Sequence, residues 1–275
     1  MGQAEDGAGP GRLVILRHGE STANADGSFT GLRDVDLSSL GREQSHDAAA
    51  LLAAEDIRPD VVFTSQMLRA CHTADIVLGD LHDVEAPVFQ SWRLNERDYG
   101  LLTRMPKTEV QDRFGKERFH SWRRTLHGTP PPMPADRREE IEFVDHGAEA
   151  VVEVSQEERR APAADRSHEP IAPGAGESLH DVVLRVRPLW EGPMRQRLGR
   201  GETVLVVAHG NSLRALCSII DQLTDEELEE LNLPTAQPVV YDVDPDGAAL
   251  PRGGRFLDPD RGVLAAIRIM FEGGT

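Results

Sequence analysis

The chain has 275 residues, 39% of them hydrophobic and 28% charged, with a formal net charge of −17. This balance suits a soluble domain with a packed core, and the acidity disfavours nucleic acid and anionic membranes as partners. No apolar run approaches the roughly 18 residues that a membrane-crossing helix needs.

The opening residues 1–11 are small, acidic and glycine-rich, without the basic and apolar regions of a signal peptide. They read as a disordered lead-in to a single domain over 12–275. The first core element is Leu13-Val14-Ile15-Leu16, a continuous apolar run that suits a strand buried on both faces. It stops abruptly at Arg17-His18-Gly19-Glu20-Ser21. A helix is predicted over about 41–54, with Ser38 or Ser39 as its N-cap. Val61-Val62-Phe63 predicts a second strand, about 66–78 a helix, and Pro87-Val88-Phe89 a third strand. Residues 128–176 hold Pro130-Pro131-Pro132 and mixed charge runs with poor periodicity, apart from 141–144 and 150–154. They read as an inserted, partly mobile region over a crevice. Thr203 to Ala208 repeats the opening pattern as a buried strand ending in His209-Gly210. A helix follows through Leu213, Leu216, Cys217 and Ile220, and Thr224-Asp225-Glu226-Glu227 is a capping-box pattern. Val239 to Val243 predicts a further strand.

Alternating strands and helices predict an α/β layered fold with a mostly parallel sheet. Ligands of such folds sit beyond the carboxyl ends of the strands. Two strands here end in His-Gly, so both imidazoles are expected to face one crevice. Around His18, the cation of Arg17 and the donors of Ser21 and Asn24 suit a phosphate, and an imidazole among them is placed to attack phosphorus. Cys71 and Cys217, distant in sequence, argue against a disulfide framework and for a reducing, cytoplasmic setting. No HExxH, paired-aspartate or cysteine ligand set predicts a metal, and no Walker-type loop is present.

Arg17-His18-Gly19-Glu20-Ser21 with Asn24 resembles the signature of the histidine phosphatase superfamily, whose mutase branch carries RHGESxxN. The likeness continues in order. It runs through Phe29-Thr30-Gly31, Asp34-Val35-Asp36-Leu37-Ser38, Thr64-Ser65 with Arg69-Ala70, Ser91 to Arg97, Tyr99-Gly100 and Trp122-Arg123-Arg124. It ends with Gly176-Glu177-Ser178-Leu179, Ala208 to Leu216 and Leu231 to Thr235. These segments resemble cofactor-dependent phosphoglycerate mutases over nearly the whole chain. The resemblance implies a three-layer α/β/α, phosphoglycerate mutase-like fold. It implies His18 as the nucleophile that becomes phosphohistidine. Arg17, Arg69 and His209 would hold the transferring phosphoryl group, with His209 protonated or suitably tautomerised. Glu96 would be the general acid and base. Ser21, Asn24, Thr30, Gly31, Arg97, Tyr99, Lys107, Arg123, Arg124, Gly210 and Asn211 would bind a small phosphorylated acid. The implied cofactor is 2,3-bisphosphoglycerate, which primes the histidine, with no metal. Homo-oligomers are common in the family.

Departures from the pattern cluster around the substrate. The family's YGxLxGLNK reads Tyr99-Gly100-Leu101-Leu102-Thr103-Arg104-Met105-Pro106-Lys107. Its usual histidine before YG is Asp98, and the tail lacks a lysine-rich ending. Three readings stay open: a mutase for 3- and 2-phosphoglycerate, a phosphatase for a related ester, and a phospholigand binder without catalysis.

Overall fold

A computed structural model describes residues 9–138, 152–153, 173–244 and 247–271. Most of the lead-in, residues 1–8, and the apolar stretch 141–144 lie outside the described residues, as do all but two residues of 150–154. Seven strands form one sheet in the order β4-β3-β2-β5-β1-β6-β7. The centre consists of β1 (Gly11–Arg17), β2 (Val61–Thr64), β3 (Val88–Gln90) and β5 (Thr203–Ala208), all parallel. At the edges, β6 (Val239–Val243) runs antiparallel to β1, β7 (Ala249–Phe256) antiparallel to β6, and β4 (Val152–Glu153) antiparallel to β3. The first strand begins at Gly11, one residue inside the expected lead-in.

The unbroken apolar runs have a structural reason. Along β1 and β5 alternate side chains enter two different cores. Leu13, Ile15, Val204 and Val206 face one, with the helices Leu179–Leu189 and Gly210–Asp221. Val14, Leu16, Leu205 and Val207 face the other, with the helices Ser39–Ala54 and Leu68–Asp80. Helices on both faces leave no solvated side on the central strands, so no polar alternation survives. A smaller cluster of Phe29, Tyr99, Leu102, Met105, Val110 and Phe119 packs beneath the helices Lys107–Phe114 and Lys116–Arg124.

Register decides where the site lies. β1 and β5 are neighbours with Arg17 opposite Ala208. The next residues, His18 and His209, therefore leave the sheet side by side, and His18 N–H donates to the Ala208 carbonyl at 3.0 Å. The loop carrying His18 is pinned from below. Gly19 N–H donates to Thr73 Oγ1 (3.1 Å), Glu20 N–H to Gln44 Oε1 (2.8 Å), and Ser38 Oγ to Glu20 Oε1 (2.8 Å). Ser38 also caps the following helix, accepting from Gly41 N–H at 3.0 Å. Backbone meets backbone here: a Cβ on Gly41 would lie 2.0 Å from the Glu20 carbonyl oxygen, and one on Gly19 2.1 Å from that of Gly41. Neither partner is a flexible side chain, so the loop itself would have to move. Gly41→Ala is expected to cost about 1–3 kcal/mol, the usual range for overpacking. A lowered urea midpoint checks this.

Candidate active site

His18 sits at the end of β1, only 2% exposed. Its Nδ1–H donates to the Gly19 carbonyl at 2.6 Å, leaving the Nε2 lone pair available. Arg69 Nε donates to that nitrogen at 3.3 Å. Burial, then the charges of Arg69 and Arg17, push the imidazole well below the ordinary histidine value, so the ring is neutral. Its partner on β5, His209, is fully buried, with ring centroids 4.9 Å apart. The expectation that both rings face one crevice is met. Burial and then Arg69 also hold His209 well below the usual range. Of the two states expected for it, protonated or suitably tautomerised, the environment selects the neutral one. Ser65 Oγ lies 2.7 Å from His209 Nε2 and itself accepts from Met67 N–H at 3.2 Å. With the Ser65 hydroxyl donating to Nε2, the ring proton resides on Nδ1, which is buried and has no partner among the described residues.

Arginines surround this pair. Arg17 NH1 donates to the Leu233 carbonyl at 2.9 Å, while its buried Nε has no partner among the described residues. Arg69 is held by the carbonyls of Arg33 (2.8 Å) and Gly31 (3.3 Å). Gly31 meets Arg69 through its carbonyl. The helix Leu68–Asp80 starts two residues later than predicted, because Ser65 and Gln66 are occupied before it. Ser65 holds His209, and Gln66 N–H donates to Asn95 Oδ1 at 2.9 Å.

Glu96 follows the short turn Trp92–Leu94. Its Oε1 accepts from Arg97 N–H at 2.7 Å and from Asn211 Nδ2 at 2.9 Å. Asn211 Nδ2 also donates to the Tyr99 hydroxyl at 3.0 Å, and its Oδ1 accepts from Arg214 NH1 at 3.2 Å. Gly210 and Asn211 open the helix Gly210–Asp221, whose positive end faces this region. Arg97 donates to the Trp122 carbonyl and lies over the Tyr99 ring at 4.7 Å, while its Nε and NH1 have no partner among the described residues. Arg123 stacks on Phe119 at 4.8 Å, and burial lowers it to about 10. Arg124 donates to the Glu229 and Leu231 carbonyls. Desolvation, with repulsion from neighbouring arginines, disfavours the charges of Arg69, Arg123, Arg124 and Arg214, which makes this cluster an attractor for a polyanion.

The mouth is a cavity of about 420 Å³ lined by Arg17, Asn24, Lys107 and, from the helix Pro259–Phe271, Leu264 and Arg268. Lys107 is the first residue of its helix, beyond a turn in which Arg104 adopts φ +72. Thr30 is buried. Ser21 is engaged locally: its hydroxyl donates to Asn24 Oδ1 at 2.9 Å, and its backbone N–H to the same oxygen at 3.1 Å.

Sequence reasoning missed three polar residues. Ser65 and Arg214 lie inside segments quoted for the resemblance, yet nothing in a bare sequence shows which nitrogen of a distant histidine Ser65 meets. Arg185 lies in the helix Leu179–Leu189, which was not predicted. It binds the carbonyls of Arg93 (2.6 Å), Asn95 (2.9 Å) and Glu96 (3.3 Å).

A sheet that delivers two neutral imidazoles, side by side, into a nest of buried guanidinium groups defines a phosphoryl-transfer protein of the histidine type. The profile of the histidine phosphatase superfamily (branch 1) matches residues 13–153 and 135–253. A Corynebacterium efficiens protein named 2,3-bisphosphoglycerate-dependent phosphoglycerate mutase is 38% identical over 264 residues, covering 96% of this chain and 98% of that one. A Thermobifida fusca protein of the same name is 42% identical over 248 residues, covering 90% and 93%. The chain belongs to this superfamily and, within it, to the phosphoglycerate mutase family. Among solved structures, a mycobacterial glucosyl-3-phosphoglycerate phosphatase in complex with VO3 shares the fold. Its TM-score is 0.59 at 22% identity, covering 84% of this chain and 92% of that chain. No helix among the described residues is long and apolar enough to cross a membrane.

Proposed function

We propose that this protein interconverts 3-phosphoglycerate and 2-phosphoglycerate through a phosphohistidine at His18, as a metal-independent cytoplasmic enzyme. The observation that carries the reading is the neutral His18 ring, its Nδ1 tied to the Gly19 carbonyl and its Nε2 beside Arg69 and His209. In the forward step Nε2 attacks phosphorus in line, and the ester oxygen leaves with a proton from Glu96. In the return step a substrate hydroxyl gives its proton to Glu96 and attacks phosphorus, freeing Nε2. Arg17, Arg69 and the Nδ1–H of His209 neutralise the equatorial oxygens. Arg69 shifts from His18 Nε2 to the incoming anion. Arg97, Arg123, Arg124, Tyr99, Asn211, Gly210 and Lys107 hold the remaining phosphate and carboxylate, with Asn24, Thr30, Gly31 and Ser21 shaping the wall.

The residues fit 2,3-bisphosphoglycerate. Arg17 Nε, Arg97 Nε and NH1, Arg124 NH1 and His209 Nδ1 are buried polar atoms without partners among the described residues, which suits a ligand with two phosphates and a carboxylate. When bound, the cofactor supplies the phosphoryl group that primes His18.

The altered turn around Arg104 and Pro106 favours the second reading, a phosphatase, since a site that closes less tightly admits water. The mutase relatives argue the other way. The test incubates pure protein with 3-phosphoglycerate, trace 2,3-bisphosphoglycerate and a metal chelator, and follows 2-phosphoglycerate and free phosphate. Formation of 2-phosphoglycerate far in excess of phosphate is expected. Phosphate as the main product overturns the mutase reading in favour of the phosphatase.

A further inference from the structure

Asp98 takes the place where the sequence pattern leads one to expect histidine, and it is not a surface charge. It is 2% exposed. Oδ1 accepts from Gly100 N–H at 2.8 Å, and Oδ2 from Gly174 N–H at 2.6 Å and Gly176 N–H at 3.2 Å. Its backbone is locked to Glu177 in both directions: Asp98 N–H donates to Glu177 Oε2 and Glu177 N–H to the Asp98 carbonyl, each at 2.8 Å. Glu177 Oε1 accepts in turn from Arg185 Nε at 2.8 Å, and Arg185 grips the carbonyls of Asn95 and Glu96. Both ends of the inserted stretch join this knot. Leu101 N–H donates to the Pro131 carbonyl at 2.8 Å, and Met133 N–H to the Gly174 carbonyl at 2.7 Å.

We propose that Asp98 is a positioning residue for Glu96, acting through Glu177 and Arg185 to fix the backbone from Asn95 to Asp98. The inference rests on the role of Glu96 as proton carrier. The Asn95 and Glu96 carbonyls end on Arg185 and the Asp98 amide on Glu177, while the Glu96 amide donates to Met67 Sδ and the Arg97 amide to Glu96 itself. Asp98 closes this frame by clamping the segment that delivers Glu177. An asparagine has one oxygen for three amides, and its NH2 must face at least one of them, donor against donor.

The test is a double-mutant cycle of Asp98→Asn with Glu96→Gln, read as the rate of His18 labelling from phosphoryl-labelled 2,3-bisphosphoglycerate on the folded enzyme. Asp98→Asn is expected to slow labelling about 10- to 100-fold when Glu96 is present, the range for a small misplacement of a catalytic group. In the Glu96→Gln background the same change should cost less than about 2-fold, because coupled residues are non-additive. Equal losses in both backgrounds overturn the positioning role while leaving Glu96 as proton carrier. If Glu96→Gln alone leaves labelling unchanged, both ideas fall. Should Asp98→Asn not fold, Gly176→Ala loosens the same clamp without removing a charge. Gly176 holds φ +84, and a Cβ there would lie 2.4 Å from the Pro130 carbonyl oxygen.

Discussion

His18→Ala is expected to carry no acid-labile phosphoryl label and to lose turnover by a factor on the order of 10⁴ or more, the scale on which removal of a covalent nucleophile acts. The reason is local. Nε2 of this ring is a nitrogen nucleophile that the sheet places beside the arginines, its lone pair facing Arg69 Nε rather than occupied by a proton. Burial, then the charges of Arg69 and Arg17, hold the ring well below the usual histidine value of 6.5. Wild-type labelling should therefore persist at about pH 5.5, where a solvated histidine is mostly protonated. Folding carries the opposite mark. The unfolded chain takes up a proton at His18 as pH falls below 6.5, and the native ring refuses it. Stability thus declines with falling pH through that window and is unaffected by this group above it. The His18→Ala protein should lose less unfolding free energy between about pH 6.5 and 5 than the wild type, by urea titration at each pH. Labelling that survives in His18→Ala would remove this residue from the mechanism.

How legible this was depends on what each element buries. Strands β1 and β5 were readable because helices cover both their faces, so their sequences are unbroken apolar runs, and the histidines ending them stood out. The register that sets the rings 4.9 Å apart was not readable, yet it follows from Arg17 facing Ala208 across two parallel strands. Edge strand β7 was missed. Its sequence, Ala249 to Phe256, holds a proline and two adjacent glycines and is largely exposed, so it lacks both alternation and an apolar run. The helices Lys107–Phe114 and Lys116–Arg124 bury only Val110, Phe119, Arg123 and Arg124, too few apolar groups for a periodic signal. The tail, noted in the sequence only for lacking a lysine-rich ending, contains the helix Pro259–Phe271. Leu264 and Arg268 of that helix line the mouth of the site.

The polar frame was the least readable part. Arg97, Arg123 and Arg214 are among the largest fully buried side chains, against every expectation that composition sets for arginine. The assignment of Arg97 and Arg123 to a ligand came from resemblance alone, and Arg214 was not assigned at all. Asp98 was noted only as a lost positive charge. Its acceptor role toward Gly174 and Gly176 needs two glycines with φ +86 and +84, more than 70 positions away, brought back by a fold that no local pattern encodes.

Glu96→Gln should separate proton transfer from binding. Glutamine keeps the carbonyl oxygen that accepts from Arg97 N–H and Asn211 Nδ2, so the hydrogen bonds at 2.7 and 2.9 Å survive and the native fold with them. What disappears is the exchangeable proton. The expected loss in kcat is roughly 100- to 10,000-fold, the usual scale of a general acid–base group, with KM changed by less than about 3-fold. Leaving-group chemistry supplies the control. An aliphatic alkoxide departs only with a proton, whereas a nitrophenolate departs without one. Initial dephosphorylation of 2,3-bisphosphoglycerate should therefore collapse in Glu96→Gln while phosphorylation of His18 by p-nitrophenyl phosphate is nearly preserved. Equal losses with the two donors would mean that Glu96 shapes the pocket rather than moving a proton, and the proton would then have to come from substrate or solvent.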